Sequence, residues 1–222
     1  MRIGSTMMTI SGVALVAAIG SSCNLDPVHR AGVNNLGPEN SDAYPPESEF
    51  HRPGEPCALC HSSEGPADSI FVLAGTVFWG PDDYNRRADS VYVRVIDGAK
   101  RRKCFVTNCN GNFFAKPEDF PKSAVYNNDG PVFPLLVSVE RVKDPGKDET
   151  TLQKRVMNSH IGREASCATC HIQGLRDFGS PGQIRLYDNE TDSKTNAPDN
   201  VIVPCPPPPE HLIVGQCPED RE

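Results

Sequence analysis

The pattern Cys-x-x-Cys-His occurs twice in the sequence, at Cys57–His61 and at Cys167–His171. Each copy places two thiols three positions apart, so that one short helical turn can bring both to the same side of the chain. The next residue is a histidine, whose imidazole is a common ligand of metal ions. A fold for this chain must therefore accommodate two such clusters.

In an exported chain this pattern is the attachment signal for c-type haem. The two thiols form thioethers with the vinyl groups of one porphyrin, and the adjacent histidine binds the iron. The sequence therefore predicts two haem c groups, with His61 and His171 as the proximal iron ligands. The predicted thioether donors are Cys57, Cys60, Cys167 and Cys170.

The amino-terminal residues 1–22 predict a signal peptide of the lipoprotein type. Their apolar run, 9–20, is too short to span a bilayer. The segment Gly20–Cys23 resembles a bacterial lipobox, which implies that Cys23 is lipidated; ordinary cleavage after Gly20 is the alternative. In both cases the chain is exported. We expect a lipid-anchored protein on the periplasmic or cell-surface face of the bacterial outer membrane, although the inner membrane remains an alternative.

The remaining chain divides into five segments by composition. Residues 23–50 are rich in Asn, Pro, Gly and acidic side chains, which predicts a flexible tether. Two haem-binding segments, 51–68 and 144–187, flank a β module at 69–143, and a Pro-rich tail covers 188–222. Helical spacing within Thr151–His160 predicts a helix just before the second motif.

Strand-like runs in the central module are separated by turn signals such as Asp97-Gly98 and Asn110-Gly111. The sequence therefore predicts a mixed fold, mostly β and irregular. In this fold a small antiparallel β-sandwich is inserted between two loop-rich or short-helical haem-binding segments. The strand-like runs are 70–79, 90–97, 104–107, 112–115 and 132–140.

The module also resembles carboxypeptidase-regulatory-like (transthyretin-like) domains. The resemblance implies a structural or binding role and no catalysis. Either the module only spaces the two haem motifs, or it docks a protein partner or a carbohydrate. The matching residues are Gly75–Val77, Val91–Val93, Thr107–Phe113 and Pro134–Val137.

A histidine precedes each motif, His51 by five intervening residues and His160 by six. This short repeat resembles paired-motif multihaem cytochromes, in which an upstream histidine supplies the second axial ligand. His51 and His160 are therefore the candidate distal ligands. The sequence leaves open whether each serves its own haem or the other one, and we expect the crossed arrangement. Met157 is an alternative ligand.

The nine cysteines can all be assigned in an oxidising compartment. Four are thioether donors, and Cys23 is the lipidation site. The other four are predicted to form two sequence-local disulfides, Cys104 with Cys109 and Cys205 with Cys217. A free reactive thiol would be unusual in an exported protein, so this assignment also favours the lipobox.

These observations favour an electron carrier, not an enzyme: a dihaem c-type cytochrome that exchanges electrons with redox partner proteins. Nucleic acid is an unsuitable partner because the net charge is -7 and Lys100–Lys103 is the only basic run. The alternatives are a dihaem peroxidase, a protein whose motif cysteines hold zinc, and a β-domain binding protein with structural haems.

Overall fold

A computed structural model of the chain describes residues 26–39, 46–81, 86–120, 122, 129–142, 152–175 and 178–196. The predicted lipidation site Cys23 and the predicted pair Cys205 and Cys217 lie outside these residues. None of the helices in the described ranges is both long and apolar enough to cross a membrane.

The larger of two sheets has four antiparallel strands in the order β3-β2-β5-β6. Its second strand alternates, with Val93 and Val95 buried on the side that faces the core. This alternation matches the period of two of a strand with one face on the core. The strands are β2 (Tyr92–Ile96), β3 (Arg102–Val106), β5 (Leu136–Val142) and β6 (Leu152–Val156).

The smaller sheet has three strands in the order β4-β1-β7. β4 runs antiparallel to β1, and β7 runs parallel to it. All six residues of β1 are buried, as expected for a central strand that is covered on both faces. The strands are β1 (Leu73–Phe78), β4 (Asn112–Ala115) and β7 (Ile184–Arg185).

One hydrophobic core joins the two sheets. Phe105 and Val139 contribute to it from the larger sheet, and Leu73, Val77 and Phe113 from the smaller one. The remaining described structure consists of loops, short turns and two short helices, α1 (Pro27–Asn35) and α2 (Glu190–Asn196). The predicted fold class, mostly β and irregular, is therefore confirmed.

The prediction of a helix within Thr151–His160 is wrong, because residues 152–156 form strand β6. Its pairing with β5 prevails over the helical spacing of its apolar residues. β6 belongs to the larger sheet and β7 to the smaller one. The second haem-binding segment therefore contributes one strand to each sheet. The β module is therefore completed by the residues that precede and follow the second motif.

Part of the segment expected to be a tether is ordered. Helix α1 starts after Asp26, whose carboxylate accepts a hydrogen bond from the N–H of Val28. Phe50 is buried, and the side-chain amide of Asn110 donates to its carbonyl. The chain just before the first motif is therefore fixed against the turn between β3 and β4.

We expect Asp97→Asn to lower the free energy of unfolding at neutral pH by about 1.5–3 kcal/mol, because the Asp97 carboxylate accepts charge-assisted hydrogen bonds. Its donors include the Arg101 guanidinium and the N–H of Val132. Burial alone would raise the pKa of Asp97, but these bonds lower it overall. This stabilisation is present above the unfolded-state pKa and is lost as pH falls through the lower folded-state value.

Denaturant unfolding between pH 7 and pH 2 measures this effect. The Asp97→Asn variant should show a smaller loss of stability in acid than the unsubstituted chain. Asp68→Asn is the matched control because Asp68 is exposed. Equal acid sensitivity of the Asp97→Asn variant and the unsubstituted chain would contradict the assigned role.

Candidate functional site

The two Cys-x-x-Cys-His motifs adopt the same local structure. Each begins with one 3-10 turn, at Cys57–Leu59 and at Cys167–Thr169. In both, the histidine N–H donates to the carbonyl of the first cysteine, at 2.9 Å for His61 and 2.8 Å for His171. The sequence prediction that the first motif forms a loop or short helical turn is therefore confirmed.

Both motif histidines are oriented by a backbone carbonyl. Nδ1 of His61 lies 2.9 Å from the oxygen of Ser69, and Nδ1 of His171 lies 2.8 Å from that of Gly182. A carbonyl only accepts, so each Nδ1 carries the proton and Nε2 is left as a base. Metal-binding histidines are held in this way by their surroundings. Burial also lowers the pKa of His61, which favours the neutral ligand form.

The four motif cysteines are free thiols. Burial raises the pKa of Cys57 to about 11 and that of Cys167 to about 12, so both are protonated at neutral pH. In the described part of the chain, no three His, Cys, Asp or Glu side chains converge to hold a metal ion.

Strand β1 lies between the two motif turns and contacts both. The second turn is especially close: a Cβ atom built on Gly75 would lie 2.9 Å from Cβ and 3.0 Å from Sγ of Cys167. Phe113, which pairs with Gly75 across β1 and β4, lines the cavities at both motifs. The two motifs are therefore neighbours in space although 110 positions separate Cys57 from Cys167.

The first cavity brings the upstream histidine to its motif. The rings of His51 and His61 have centroids 5.8 Å apart and planes within 16° of each other. Two imidazoles that bind one metal ion from opposite sides have centroids about 6 Å apart, since each nitrogen lies about 2 Å from the metal. Nδ1 of His51 is buried without a hydrogen-bond partner in the described part of the chain. This arrangement suits a pair of axial ligands.

The first cavity is also largely apolar on one side. Phe71 stacks on His61 with centroids 4.0 Å apart, and Phe114 stacks on Phe71 at 4.8 Å. The cavity encloses about 200 Å³, less than the roughly 300–1,000 Å³ of most ligand sites. A porphyrin bound beside His61 would therefore extend beyond this cavity.

The second cavity is larger, about 520 Å³, and falls within the usual range for ligand sites. Cys167, Cys170 and His171 line it together with both upstream candidates, Met157 and His160. His160 is exposed. The structure thus brings both predicted distal ligands of this motif to the same cavity without selecting between them.

Several buried polar groups that line the second cavity have no hydrogen-bond partner within the described structure. A bound ligand could supply one. Nε of Arg185, Oγ of Ser166 and Oε1 of Gln183 are buried without a hydrogen-bond partner among the described residues. Arg155 lines the same cavity, and both Arg155 and Arg185 form ion pairs with Asp188. The two guanidinium groups could receive carboxylates such as the propionates of a porphyrin. Sequence reasoning missed both arginines, because no motif marks them.

Cys104 and Cys109 are both disulfide-bonded. Cys104 is buried in strand β3, whereas Cys109 lies in the turn that follows. Both therefore lie in the β module.

No family model, curated protein or solved structure matches this chain. The resemblances to multihaem cytochromes and to transthyretin-like domains therefore remain predictions from the sequence. The function has to be argued from the geometry of the two motifs.

We expect Gly75→Ala to reduce haem attachment at the second motif, because the new Cβ would overlap Cys167 and displace its turn. Overpacking of this kind also costs about 1–3 kcal/mol of stability. Gly162→Ala is the matched control, since a Cβ there meets nothing within 4 Å. Mass spectrometry of the haem-bearing peptides would measure the occupancy of each motif. Equal occupancy in the two variants would contradict the close contact.

Proposed function

We propose that this chain is an electron carrier, a dihaem c-type cytochrome with one haem attached at Cys57 and Cys60 and the other at Cys167 and Cys170. One observation carries the proposal. Two motif turns of the same structure each hold a histidine by Nδ1 and leave Nε2 available beside a cavity. Haem c, when bound, supplies reversible one-electron chemistry at iron.

The first site is proposed to use His61 and His51 as axial ligands, because their rings are nearly parallel at 5.8 Å. At the second site we propose His160 as the partner of His171: it lines the same cavity, as Met157 does, and it repeats the upstream position of His51 in the sequence. Both pairs join a motif with its own upstream histidine, so the geometry favours uncrossed ligation over the crossed arrangement expected from the sequence. If both histidines of a pair held the haem iron, no coordination position would be left for a substrate, which favours electron transfer over catalysis.

The scaffold keeps the two sites close. Both motif turns pack on β1, and Phe113 forms part of the wall of each cavity. This proximity supports electron exchange between the two sites within one chain.

The proposal includes redox partner proteins and export to a bacterial membrane surface through a lipid on Cys23. These parts rest on the sequence, because residues 1–25 lie outside the described ranges. The net charge of -7 disfavours a nucleic-acid partner.

A potentiometric titration followed by absorption and magnetic circular dichroism tests the proposed function. We expect two one-electron steps and fully low-spin ferric haem, because both axial positions are occupied. A high-spin ferric component together with turnover of hydrogen peroxide would favour the peroxidase alternative and contradict the electron-carrier proposal.

A further inference from the structure

The outer face of the four-stranded sheet, the side away from the core, is buried although it is strongly polar. Arg94, Cys104, Ser138 and Glu140 all point to this side by strand register. Their exposed fractions are only 5%, 2%, 7% and 0%. A solvent-facing sheet surface would leave such side chains accessible.

These side chains form an ionic network centred on Glu140. Its carboxylate accepts from Nε of Arg94 at 3.0 Å, from Oγ of Ser138 at 2.7 Å and from Nζ of Lys154 at 2.9 Å. Tyr92, Ile96 and Val106 flank the network and are half-buried. Neither α1 nor α2 makes a substantial contact with these strands in the described part of the chain. The cover must therefore come from residues that are not in those helices.

The disulfide-bonded state of Cys104 indicates which residues these are. A disulfide requires Cα atoms about 4.4–6.8 Å apart. β3 continues to pair beyond Cys104, since Thr107 donates its N–H to Val91 at 2.9 Å. Three extended residues place Thr107 about 10 Å from Cys104 along the strand.

The chain then turns away from the outer face. The N–H of Asn108 donates to the carbonyl of Asn112, which begins β4. β4 belongs to the smaller sheet, on the core side of the larger one. Cys109 therefore lies on the path to the core side, whereas Cys104 points to the outer face. A bond between these two cysteines would require the chain to fold back along β3.

We propose that residues 197–222 cover the outer face and that Cys205 and Cys217 form the disulfides with Cys104 and Cys109. Each of these tail cysteines follows a run of three branched apolar residues, Val201–Val203 and Leu212–Val214, suited to cover a sheet surface. This pairing replaces the two sequence-local disulfides that the sequence predicts. It still places the same four cysteines in two disulfides.

The length of the chain allows this arrangement. α2 ends at Asn196, shortly after Asp188, which forms an ion pair with Arg155 of β6. The nine residues from Asn196 to Cys205 can extend about 30 Å. The distance across the sheet from β6 to β3 is three strand spacings, about 14 Å. Arg155 pairs with Val139 of the core side, so the tail starts near the β6 edge of the larger sheet and has the length to pass around that edge toward β3.

Tryptic digestion of the matured full chain without reductant tests the proposal. Cys104 and Cys109 fall in one tryptic peptide that begins after Lys103, and Cys205 and Cys217 fall in another, between Lys194 and Arg221. We expect mass spectrometry to find these two peptides covalently linked, and separated only after reduction. Two unlinked peptides, each with an internal disulfide, would overturn the proposal, as would a link from the Cys104 peptide to Cys23. The result does not depend on haem content, so this proposal and the proposed function can fail separately.

Discussion

Replacing Cys167 and Cys170 together by alanine should lower the covalent haem content from two per chain to one. Among the residues that the structure describes, only the second motif contributes thiols to the lining of the larger cavity, and the proposed attachment uses both. Burial raises the pKa of Cys167 to about 12, so replacing this thiol removes no charge at neutral pH. Haem quantification and intact mass of protein produced with a c-type maturation system would measure the loss.

The companion variant with Cys57 and Cys60 replaced by alanine is the matched control and should also retain one haem. Because the two turns have the same structure, neither variant should retain both. A variant that still carries two covalent haems, or an unsubstituted chain that carries only one, would contradict independent attachment at the two motifs.

The second large effect is expected at His51 and concerns the spin state of the first haem. In a chain with Cys167 and Cys170 replaced by alanine, only the first haem contributes to the spectrum. There, His51→Ala should convert low-spin ferric haem to a high-spin form, because the distal position opens. His51→Met should restore a six-coordinate low-spin haem with a raised reduction potential, since Met/His ligation raises potentials relative to bis-His ligation.

His160→Ala in the same single-haem chain is the control. Uncrossed ligation predicts that it leaves the spectrum of the first haem unchanged, since His160 lines the other cavity. Crossed ligation predicts the reverse, with His160 and not His51 determining the spin state. Magnetic circular dichroism of the two variants therefore decides between the two arrangements.

The sequence predicted those features of the fold that depend on local pattern. Alternating valines identified β2, and turn signals placed the ends of the neighbouring strands. The sequence did not predict strand β6. Its five residues have no clear helical or strand periodicity, and β6 is identified only by its pairing with β5. The sequence also did not predict α1, whose cap at Asp26 and proline at the first turn stand in a polar segment without apolar periodicity.

The sequence predicted the motif residues of the site but not their surroundings. Cys57–His61 and Cys167–His171 are recognisable from spacing alone. By contrast, Gly75 and Phe113 become relevant only when β1 and β4 bring them between the motifs. The carbonyls of Ser69 and Gly182 that orient the histidines also carry no sequence signal, because any residue supplies a backbone oxygen.

The count of covalent haem in the matured chain tests the central claim most directly. The protein should be denatured and extracted with acidified organic solvent, which removes haem that is not covalently bound, and then analysed by absorption and intact mass. The account predicts two haems that stay with each chain, one at each Cys-x-x-Cys-His turn. A colourless chain with four free motif thiols, or haem that the solvent removes completely, would contradict it.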